Sequence, residues 1–598
     1  MLNRHYLDEL AYLRDLGREF ARAHPEIAGQ LGEAGTDPDV ERLLEGVAFI
    51  GARIRQKLDD EIPELTHALI DCFWPQWLCP LPATTVVQAV PARPDDRDHH
   101  RVARGATIQS QPVQGVRCQF RTTTDVDLPP VRIERVELRL GAGAELRIGL
   151  RVPEGLTAAT VPLTRLRLHC HGPFSLAAGL HRLFIRHVTG VIVEDERGER
   201  RPLRGASVAP VAFDRDAPLF AIPGAAFPAH LALQEHLACP QRSLFVDLVG
   251  LQGLASLGAA RRWTLCLPLH DAPASLPQVD ASNLLLGCTV AVNLFEHDAD
   301  PLSIDPQRRE YRLQPSGMDA RSAEIHSLVS AHGLVRGRPK PRLWHAHYQV
   351  ARERGTGGVG GSFGVGSGVG SGAGGASSDS DYGTYLLRRK PAVVEAGHEC
   401  WFATTSPHAE ADEVLSLRLM CTNRRLPDSL APGDLDQAGP EVPPGVRISN
   451  LAKPTAGCPA DLGGGQEWRV IAQLTGNMTG LSDVTALRRL LELHHPRAHA
   501  DQQARASLRR MSEALESFTY RPATRVVQGV PLRGLDAELT VHDDRLDGPG
   551  ELHLLSLLLD GVLAEHSSLN CFTRLTVRGT ASGEVLSHLP RSGSAVLR

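Results

Sequence analysis

The first 82 residues carry hydrophobic side chains at steps of three and four, the spacing that places them along one face of an α-helix. The first helical pattern includes Leu2, Tyr6, Leu10, Leu13 and Phe20. Pro25 is expected to end this helix, because proline removes a backbone hydrogen bond and clashes with the preceding turn. Residues 1–82 are therefore predicted to form an N-terminal helical region.

A second helical pattern follows the pair Asp37 and Pro38, which suit the N-cap and the first helical position. Its hydrophobic residues form what we call the apolar seam: Val40, Leu43, Leu44, Val47, Ile50, Ile54 and Leu58. Burying a leucine or isoleucine stabilises a protein by about 1.5 to 3 kcal/mol, so this seam must pack on something. Two possibilities stay open. The first helix and the rest of the chain cover the seam, or helices of other chains cover it and complete a bundle.

Three consecutive acidic residues, Asp59, Asp60 and Glu61, stand just before Pro63. Neighbours on a helix point in directions about 100° apart, so these carboxylates do not converge as a paired acid–base site requires. If Pro63 begins the next helix, Asp60 and Glu61 lie near its N-terminus, where negative charge is favourable. We interpret the three residues as an acidic junction between helices, with an ionic contact to a partner as a further possibility.

After Pro82 the spacing changes to an alternation of hydrophobic and polar residues, which is typical of β-strands. The segments "ATTVVQAVP", "VRIERVELRL" and "LTRLRLHCH" alternate in this way, and residues 83–345 are predicted to form a β-rich middle region. Residues 346–390 contain a Gly/Ser-rich tract, predicted to be a flexible insertion and linker because it buries too little side chain to offset its ordering entropy. Residues 391–598 are predicted to form a C-terminal α/β-mixed region. The predicted fold class is α+β.

Composition narrows the possible functions. The chain has 598 residues, more than one hydrophobic core supports, so several domains are expected. A formal net charge of -5 argues against nucleic acid as a partner. No run approaches the roughly 20 apolar residues of a transmembrane helix, and the amino terminus lacks the apolar core of a signal peptide. The eleven cysteines include no CxxC pair, which favours reduced thiols. We expect a cytoplasmic protein without direct membrane insertion.

Two glycine-rich motifs match catalytic or cofactor-binding patterns by chance. "GTGGVG", residues 355–360, matches GxGxxG, but a dinucleotide site needs a strand before the glycines and a helix after them. "GGSFG", residues 360–364, matches GxSxG, but a nucleophile needs a strained elbow between a strand and a helix. A flexible tract supplies neither context, so no cofactor and no catalytic residue is predicted.

Histidine clusters are the remaining candidates for chemistry. His169 and His171 stand two positions apart in a predicted strand, and "LHHPRAH" places His494, His495 and His499 after a predicted helix. Hydrogen-bonded histidines in the first case, and histidines that favour a helix C-terminus in the second, explain these positions without a metal. The loop "DDRDHH" near Asp95 is interpreted as solvated. No metal site is predicted.

Segments distributed in order along the whole chain share the pattern of one family. The strongest is "DPDVERLLEGVAFIGARIRQKLDDEIPELTHAL", and "YLDELAYLRDLGREFARAHPEIA" precedes it. The first resembles the amino-terminal signature of the TssF family, also called ImpG or VasA, of the bacterial type VI secretion baseplate, and the second resembles the opening helix of that family. Further similar segments are "VQGVRCQFRTTTDVDL", "LQEHLACPQRSLFVDLVGL", "VNLFEHDADPL", "EYRLQP", "LMCTNRRLPDSLAPG" and "HSSLNCFTRL".

The sequence departs from the family pattern in two places. The Gly/Ser-rich tract of residues 355–380 is not part of that pattern and resembles an inserted loop. "EWRVIAQLTGNMTGLS", residues 467–482, replaces a more apolar pattern, with Thr475, Gly476 and Gly480 among the differences. The second departure puts in doubt the local packing, or one contact surface, of that segment.

The resemblance implies a structural role and no catalytic or cofactor residues. TssF proteins resemble wedge subunits of contractile phage tail baseplates, in which two TssF copies and one TssG are expected to form the wedge core. TssK, TssE, the sheath and the spike are the further expected partners, with docking at the inner-membrane secretion complex. Within this picture the apolar seam enters a mixed bundle with TssG and a second TssF copy. The acidic junction would then help to set its orientation.

Two rival functions of another class are a cytoplasmic hydrolase and a carbohydrate- or peptide-binding module, each built on the β-rich region. A deep polar cleft with two converging carboxylates would favour the hydrolase. An aromatic-lined groove would favour the binding module, although aromatic residues make up only 5% of the chain. Exposed apolar faces on protruding helices would favour the structural subunit.

Overall fold

The structure is a computed structural model. It describes residues 2–24, 38–59, 63–141, 143–211, 218–220, 227–271, 278–305, 307–335, 340–347, 382–392, 397–404, 413–462, 465–475, 481, 483–495, 497–527, 529–567, 571–593 and 595–596. Helices and strands are numbered along the chain within these residues.

The helices lie mainly in the first 73 residues and the last 135. Their bounds are α1 (Leu2–Ala23), α2 (Pro38–Asp59), α3 (Pro63–Phe73), α4 (Phe174–Arg182), α5 (Pro228–Ala238), α6 (Gln466–Thr475), α7 (Val484–Leu493), α8 (Arg497–Ala500), α9 (Gln502–Ala514) and α10 (Pro549–Glu565). Among the described residues, none of these helices combines the length and the apolar character that crossing a bilayer requires.

The chain divides into two compact units. The first, which we call the helical unit, contains Met1–Cys72 and Asp461–Ala472, and the second contains Phe73–Ala460 and Gln473–Arg598. In the helical unit, α2 begins at Pro38, and Asp39 and Glu41 lie in its first turn, where negative charge is favourable. α3 begins at Pro63, where the sequence places a helix boundary.

Strands dominate the second unit. Their bounds are β1 (Thr84–Pro91), β2 (His100–Val102), β3 (Thr107–Val113), β4 (Val116–Thr122), β5 (Val126–Leu128), β6 (Arg132–Arg139), β7 (Glu145–Arg151), β8 (Arg165–Cys170), β9 (Ile192–Asp195), β10 (Arg200–Pro202), β11 (Ser207–Pro210), β12 (Phe245–Val249), β13 (Arg262–Pro268), β14 (Leu284–Leu285), β15 (Cys288–Val292), β16 (Phe295–Asp298), β17 (Leu302–Ser303), β18 (Glu310–Arg312), β19 (Glu324–Val335), β20 (Arg342–Ala346), β21 (Tyr382–Pro391), β22 (His398–Thr404), β23 (Glu413–Thr422), β24 (Gln437–Ala438), β25 (Val446–Asn450), β26 (Leu515–Val527), β27 (Val530–Val541), β28 (Cys571–Gly579), β29 (Val585–Ser587), β30 (Arg591–Ser592) and β31 (Ala595–Val596).

These strands form several separate sheets, most of them antiparallel. Their strand orders are β24-β3-β4-β15-β1-β25, β10-β9-β13-β7-β6, β11-β12-β8-β14, β16-β23-β19-β20-β21-β22-β18 with β17 on β23, β2-β5, and β26-β27-β28-β30-β31 with β29 on β28. Five hydrophobic clusters fill the space between the sheets and helices. The α+β class and the β-rich multidomain body predicted from the sequence are confirmed.

Strands that follow the Gly/Ser-rich tract complete sheets that begin before it. β25 pairs with β1, so that Asn450 lies opposite Val87, and β23 pairs with β19, so that Val414 lies opposite Leu334. Sheet pairing therefore crosses the boundary predicted at residue 391, and β21 lies mostly inside the predicted linker of residues 346–390. The four-region division itself stays a prediction.

The C-terminal sheet contains a parallel pair joined by a helix. β27 and β28 run parallel, and α10 connects them, because a parallel pair needs a crossover connection. α10 is buried along most of its length and packs closely on α4 at Gly550. The predicted helix near "DVTALRRLLELHH" and the predicted strands near "LDAELTVHD" and "FTRLTVRG" correspond to α7, β27 and β28.

Candidate partner-binding surface

Helices α1 and α2 form an antiparallel hairpin within the helical unit. Arg14 Nη2 lies 2.7 Å from Glu41 Oε2, and the side chain of Glu9 covers the space above Gly51. Contacts between later residues of one helix and earlier residues of the other require opposite helix directions. Three residues of the hairpin are buried: Leu10, Ala48 and Ala52.

The apolar seam of α2 lies largely outside this contact. Four of its residues are exposed, with fractions from 48% at Val47 to 69% at Leu43: Leu43, Val47, Ile50 and Ile54. They follow one another at steps of four, three and four, which is the repeat of a coiled-coil seam. α1 therefore packs beside the seam and leaves these side chains uncovered.

A second exposed apolar stripe runs along α1. Tyr12, Leu16 and Phe20 are 45% to 61% exposed and follow one another at steps of four, the spacing that aligns side chains along a helix. On α1 the exposed stripe is centred about 120° from Leu10, and on α2 about 150° from Ala48 and Ala52, in the same rotational sense. Since the helices are antiparallel, the two stripes fall on the same side of the hairpin.

We call this combined surface the apolar face. It consists of Tyr12, Leu16, Phe20, Leu43, Val47, Ile50 and Ile54. Two further exposed apolar residues, Leu7 and Phe49, lie on the opposite side of the hairpin by the same helical geometry. Scattered apolar residues are normal on a surface, but an aligned set two helices wide is typical of a protein-binding site.

The predicted site residues differ in their exposure to solvent. Leu44 is half-buried, whereas Leu43, Val47, Ile50 and Ile54 belong to the apolar face. The side chains of Val40, Leu58 and Asp59 lie outside the described residues, as do Asp60 and Glu61 entirely. The acidic junction consequently stays a prediction. Sequence reasoning missed the stripe on α1, although the four-residue steps of Tyr12, Leu16 and Phe20 were a readable signal.

The first predicted helical face, on α1, is only partly buried. Leu10 is buried, Tyr6 and Leu13 are half-buried, and Phe20 is exposed as part of the apolar face. The side chain of Leu2 lies outside the described residues. The difference arises because a single neighbouring helix covers only a narrow strip of a helix surface.

The histidines that were considered as metal ligands lie at or beside a strand or a helix end. His169 is buried in β8 against Phe245, and burial lowers its pKa to about 3. His171 follows the strand and is half-buried. The side chain of His499 lies outside the described residues, and so do both glycine-rich motifs between residues 355 and 364.

The sequence did not predict a row of buried, hydrogen-bonded histidines, which we call the histidine chain. His494 Nδ1 lies 2.8 Å from the carbonyl oxygen of Leu490, so this nitrogen carries a proton and donates. His494 Nε2 then accepts from His230 Nδ1 at 2.9 Å, and His230 Nε2 accepts from His566 Nε2 at 3.0 Å. The ring of Trp74 packs on His494. The chain joins α5 to the C-terminal ends of α7 and α10, and no local sequence pattern pairs residues more than 250 positions apart.

The loop around Asp95 brings three potential metal ligands together: Asp96, Asp98 and His100. His100 Nε2 lies 2.9 Å from Asp96 Oδ2, and the backbone N–H of Asp98 donates to the same carboxylate. That backbone hydrogen bond, followed by the one from His100, lowers the pKa of Asp96. Internal hydrogen bonds of this loop already explain the arrangement.

Two neighbouring carboxylates in the β-rich region are engaged by arginines. Glu145 and Glu194 face each other across β7, β13 and β9, with Arg147 and Arg200 donating to both. The hydrogen bond from Arg147 is the main reason that the pKa of Glu194 falls to about 2. Such a charge-neutralised ladder stabilises a sheet surface and offers no general acid near neutral pH.

Comparisons with known proteins agree with the sequence resemblance. The family model described as type VI secretion system, TssF matches residues 1–595. The type VI secretion system component TssF1 of Pseudomonas aeruginosa is 28% identical, over 99% of this chain and 98% of that protein.

Two solved structures have a similar fold. A chain in the TssK-TssF-TssG baseplate subcomplex of the type VI secretion system, solved by cryo-electron microscopy, superposes with a TM-score of 0.76 and 26% identity. The match covers 93% of this chain and 100% of that one. A chain in the baseplate complex of the type VI secretion system gives a TM-score of 0.59 over the full length of both chains, and at 22% identity it supports the fold alone.

Proposed function

The chain belongs to the TssF family of type VI secretion baseplate components, and from that premise we propose that it is a wedge subunit whose apolar face binds helices of partner subunits. The partners are a TssG subunit and a second copy of this chain, which complete a helical bundle. TssK binds the same assembly, and TssE, the sheath and the spike contact it directly or through the wedge. The complex assembles in the cytoplasm and docks at the inner-membrane secretion complex.

The observation that carries this proposal is the exposed apolar face. Its seven side chains are large, and burying each is worth about 1.5 to 3 kcal/mol, so the free face is unstable in water relative to a covered one. A groove between two antiparallel helices fits an amphipathic helix, which would place its own apolar residues between the two stripes. The solved relative that lies in a complex with TssK and TssG is consistent with partners of this kind.

The test is a double substitution on α2. Ile50→Asp with Ile54→Asp places two carboxylates on the apolar face, where a docked helix would have to bury them. Copurification with TssG and TssK from cells should fall at least tenfold, while circular dichroism stays unchanged because both side chains are exposed in the isolated chain.

The matched control is Phe49→Asp, a substitution on the same helix and at a similar exposure, but on the opposite side of the hairpin. It should leave copurification near the wild-type level. Normal copurification of the double variant, or equal loss with the control, would contradict the proposed binding face.

A further inference from the structure

The hairpin of β26 and β27 reaches beyond the rest of its sheet. β26 is an edge strand, and β27 pairs with β28 only from Arg533 onward. The last three residue pairs of the hairpin, which begin with Arg525 opposite Leu532, have no third strand beside them among the described residues. Gly529 supplies the positive φ of 82° that a tight turn between two strands requires.

The end of this hairpin is apolar and exposed. We call residues 526–531 the hairpin tip, and their sequence is "VVQGVP". Contacts of the hairpin with the core end at Tyr520 and Leu535. Val526 is 72% exposed, more than any other large apolar side chain in the described part of the chain, and Pro531 opposite it is exposed as well. A protruding apolar tip is typical of a contact site.

Arginines follow the hairpin tip on both strands. Residues 517–535 contain Arg521, Arg525 and Arg533 and no acidic residue. Arg525 lies 4.0 Å from the carboxylate of Asp536, which already accepts two shorter hydrogen bonds from an arginine of β28. Arg521 and Arg533 form no ion pair with any residue that the structure describes. This end of the hairpin is therefore positively charged, although the chain has a net charge of -5.

The two arginines nearest the hairpin tip point to opposite faces of the hairpin. Arg525 lies opposite Leu532 and Arg533 lies opposite Thr524, so they belong to neighbouring residue pairs, whose side chains alternate between faces. A protein surface that covers one face would meet only one of these arginines, whereas a plane that the tip enters end-on meets both. Pro522 in the edge strand also discourages the addition of a strand from a protein partner.

The spacing of charge and apolar surface suits a lipid headgroup layer. At about 3.3 Å per residue, Arg525 and Arg533 lie within about 7 Å of the hairpin tip along their strands. The polar layer on each side of a bilayer is about 5 to 7 Å thick. Val526 and Pro531 can therefore reach the boundary of the acyl chains while both guanidinium groups stay among the phosphates.

We propose that the hairpin tip makes a peripheral contact with an anionic lipid bilayer. Such binding grows with the apolar area buried and with the attraction of basic side chains to anionic lipid. The net negative charge of the chain does not oppose the contact, because charges more than about 10 Å away are largely screened at 0.1 M salt. The contact crosses no bilayer. It goes beyond the proposed function, since it needs no partner subunit.

The test is co-sedimentation of the isolated chain with lipid vesicles. Vesicles of phosphatidylcholine and phosphatidylglycerol should bind about fivefold more protein than vesicles of phosphatidylcholine alone, and high salt should remove the difference. Val526→Asp places a carboxylate at the hairpin tip and should lower binding to the anionic vesicles about fivefold. Val329→Asp is the matched control, because Val329 is a strand valine that is 46% exposed, and it should bind as the wild type does.

A second variant separates charge from apolar contact. Arg525→Gln with Arg533→Gln removes two positive charges, and it should lower binding to the anionic vesicles about fivefold without changing the weak binding to neutral ones. Arg117→Gln with Arg489→Gln removes the same charge from two exposed positions of the second unit and should leave binding unchanged. Circular dichroism checks that every variant is folded.

The outcomes separate this inference from the proposed function. Equal binding to anionic and neutral vesicles, or binding to neither, overturns the lipid contact, and so does wild-type binding by Val526→Asp. A protein partner at the hairpin tip would instead lower copurification of Val526→Asp with TssG and TssK while vesicles bind no protein. Otherwise that copurification should match the wild type. Failure of the α2 variant test contradicts the proposed function and leaves the vesicle result unaffected.

Discussion

At the scale of single residues, spacing along the chain predicted that an apolar seam exists but left open what covers it. The spacing of Leu43, Val47, Ile50 and Ile54 identified a seam before the structure placed it on a surface. Leu44 fits the same hydrophobic pattern, yet it is half-buried. Helical periodicity resolves directions only to about 100° per residue, so it cannot tell which edge of a broad apolar stripe a neighbouring helix will cover.

The buried histidine chain shows what periodicity cannot supply. The carbonyl oxygen of Leu490 fixes the Nδ1 proton of His494, so the neutral rings of His230, His494 and His566 have a single order of hydrogen bonds. Burial lowers the pKa of His494 to about 4, and burial also lowers that of His230. The free energy of unfolding therefore depends on the protonation of both histidines.

We expect the protein to lose stability on acidification below pH 6.5. In the unfolded chain these histidines take up protons near pH 6.5, whereas in the folded chain His494 does so only near pH 4. The unfolded state thus binds more protons, and the stability present above pH 6.5 is lost as the pH falls toward 4. At pH 5.5 the loss that His494 causes is about 1 kcal/mol, measured as a lower urea midpoint than at pH 7.5.

His230→Gln tests this origin, because glutamine keeps one donor and one acceptor but does not titrate. The variant should lose less stability between pH 7.5 and pH 5.5 than the wild type. His99→Gln replaces an exposed histidine and serves as the control, with wild-type behaviour expected. An identical acid response of the two variants would show that the histidine chain does not contribute.

At the scale of elements, most helices and strands could be predicted from the sequence, but the pairing of the strands could not. The starts of α2 at Pro38 and α3 at Pro63 follow from proline at the first helical turn. The return of β25 to pair with β1 joins residues about 360 positions apart, and alternation of side chains contains no information about which strand lies alongside. The close approach of α10 to α4 could not be predicted either, because it depends on one glycine, Gly550.

Gly550→Ala should destabilise the second unit. A Cβ at this position would lie 2.3 Å from the carbonyl carbon of Ala178 and 2.5 Å from the backbone nitrogen of Gly179. Backbone atoms cannot move aside as a flexible side chain can, so α10 and α4 must separate. We expect a loss of about 1 to 3 kcal/mol, measured by urea unfolding.

Gly46→Ala should instead raise the free energy of unfolding, and it controls for a general effect of adding a methyl group. Among the described residues, a Cβ at Gly46 in α2 meets nothing within 4 Å. Alanine should therefore stabilise that helix by about 0.5 to 1 kcal/mol through lower backbone entropy in the unfolded chain. A stable Gly550→Ala variant would mean that the two helices approach less closely than described.

At the scale of the whole molecule, function came from the order of segments along the chain. Matching segments in family order predicted a baseplate component, and the family model and the solved relatives confirm this. The packing of α1 against α2 added what resemblance does not give, which is the two-helix width of the apolar face. The resemblance named TssG and TssK, which occur in the complex of the solved relative. Stoichiometry could not be predicted from this chain, because it depends equally on the surfaces of other chains.

The central claim is that partner helices cover the apolar face in the assembled baseplate. Hydrogen–deuterium exchange of the chain, alone and in complex with TssG and TssK, tests it most directly. Peptides from α1 and α2 should exchange at least tenfold more slowly in the complex, because a docked helix restrains local opening of the hairpin. Peptides from the buried α10 should exchange alike in both states. Unchanged exchange of α1 and α2 in a complex that has demonstrably assembled would contradict the account.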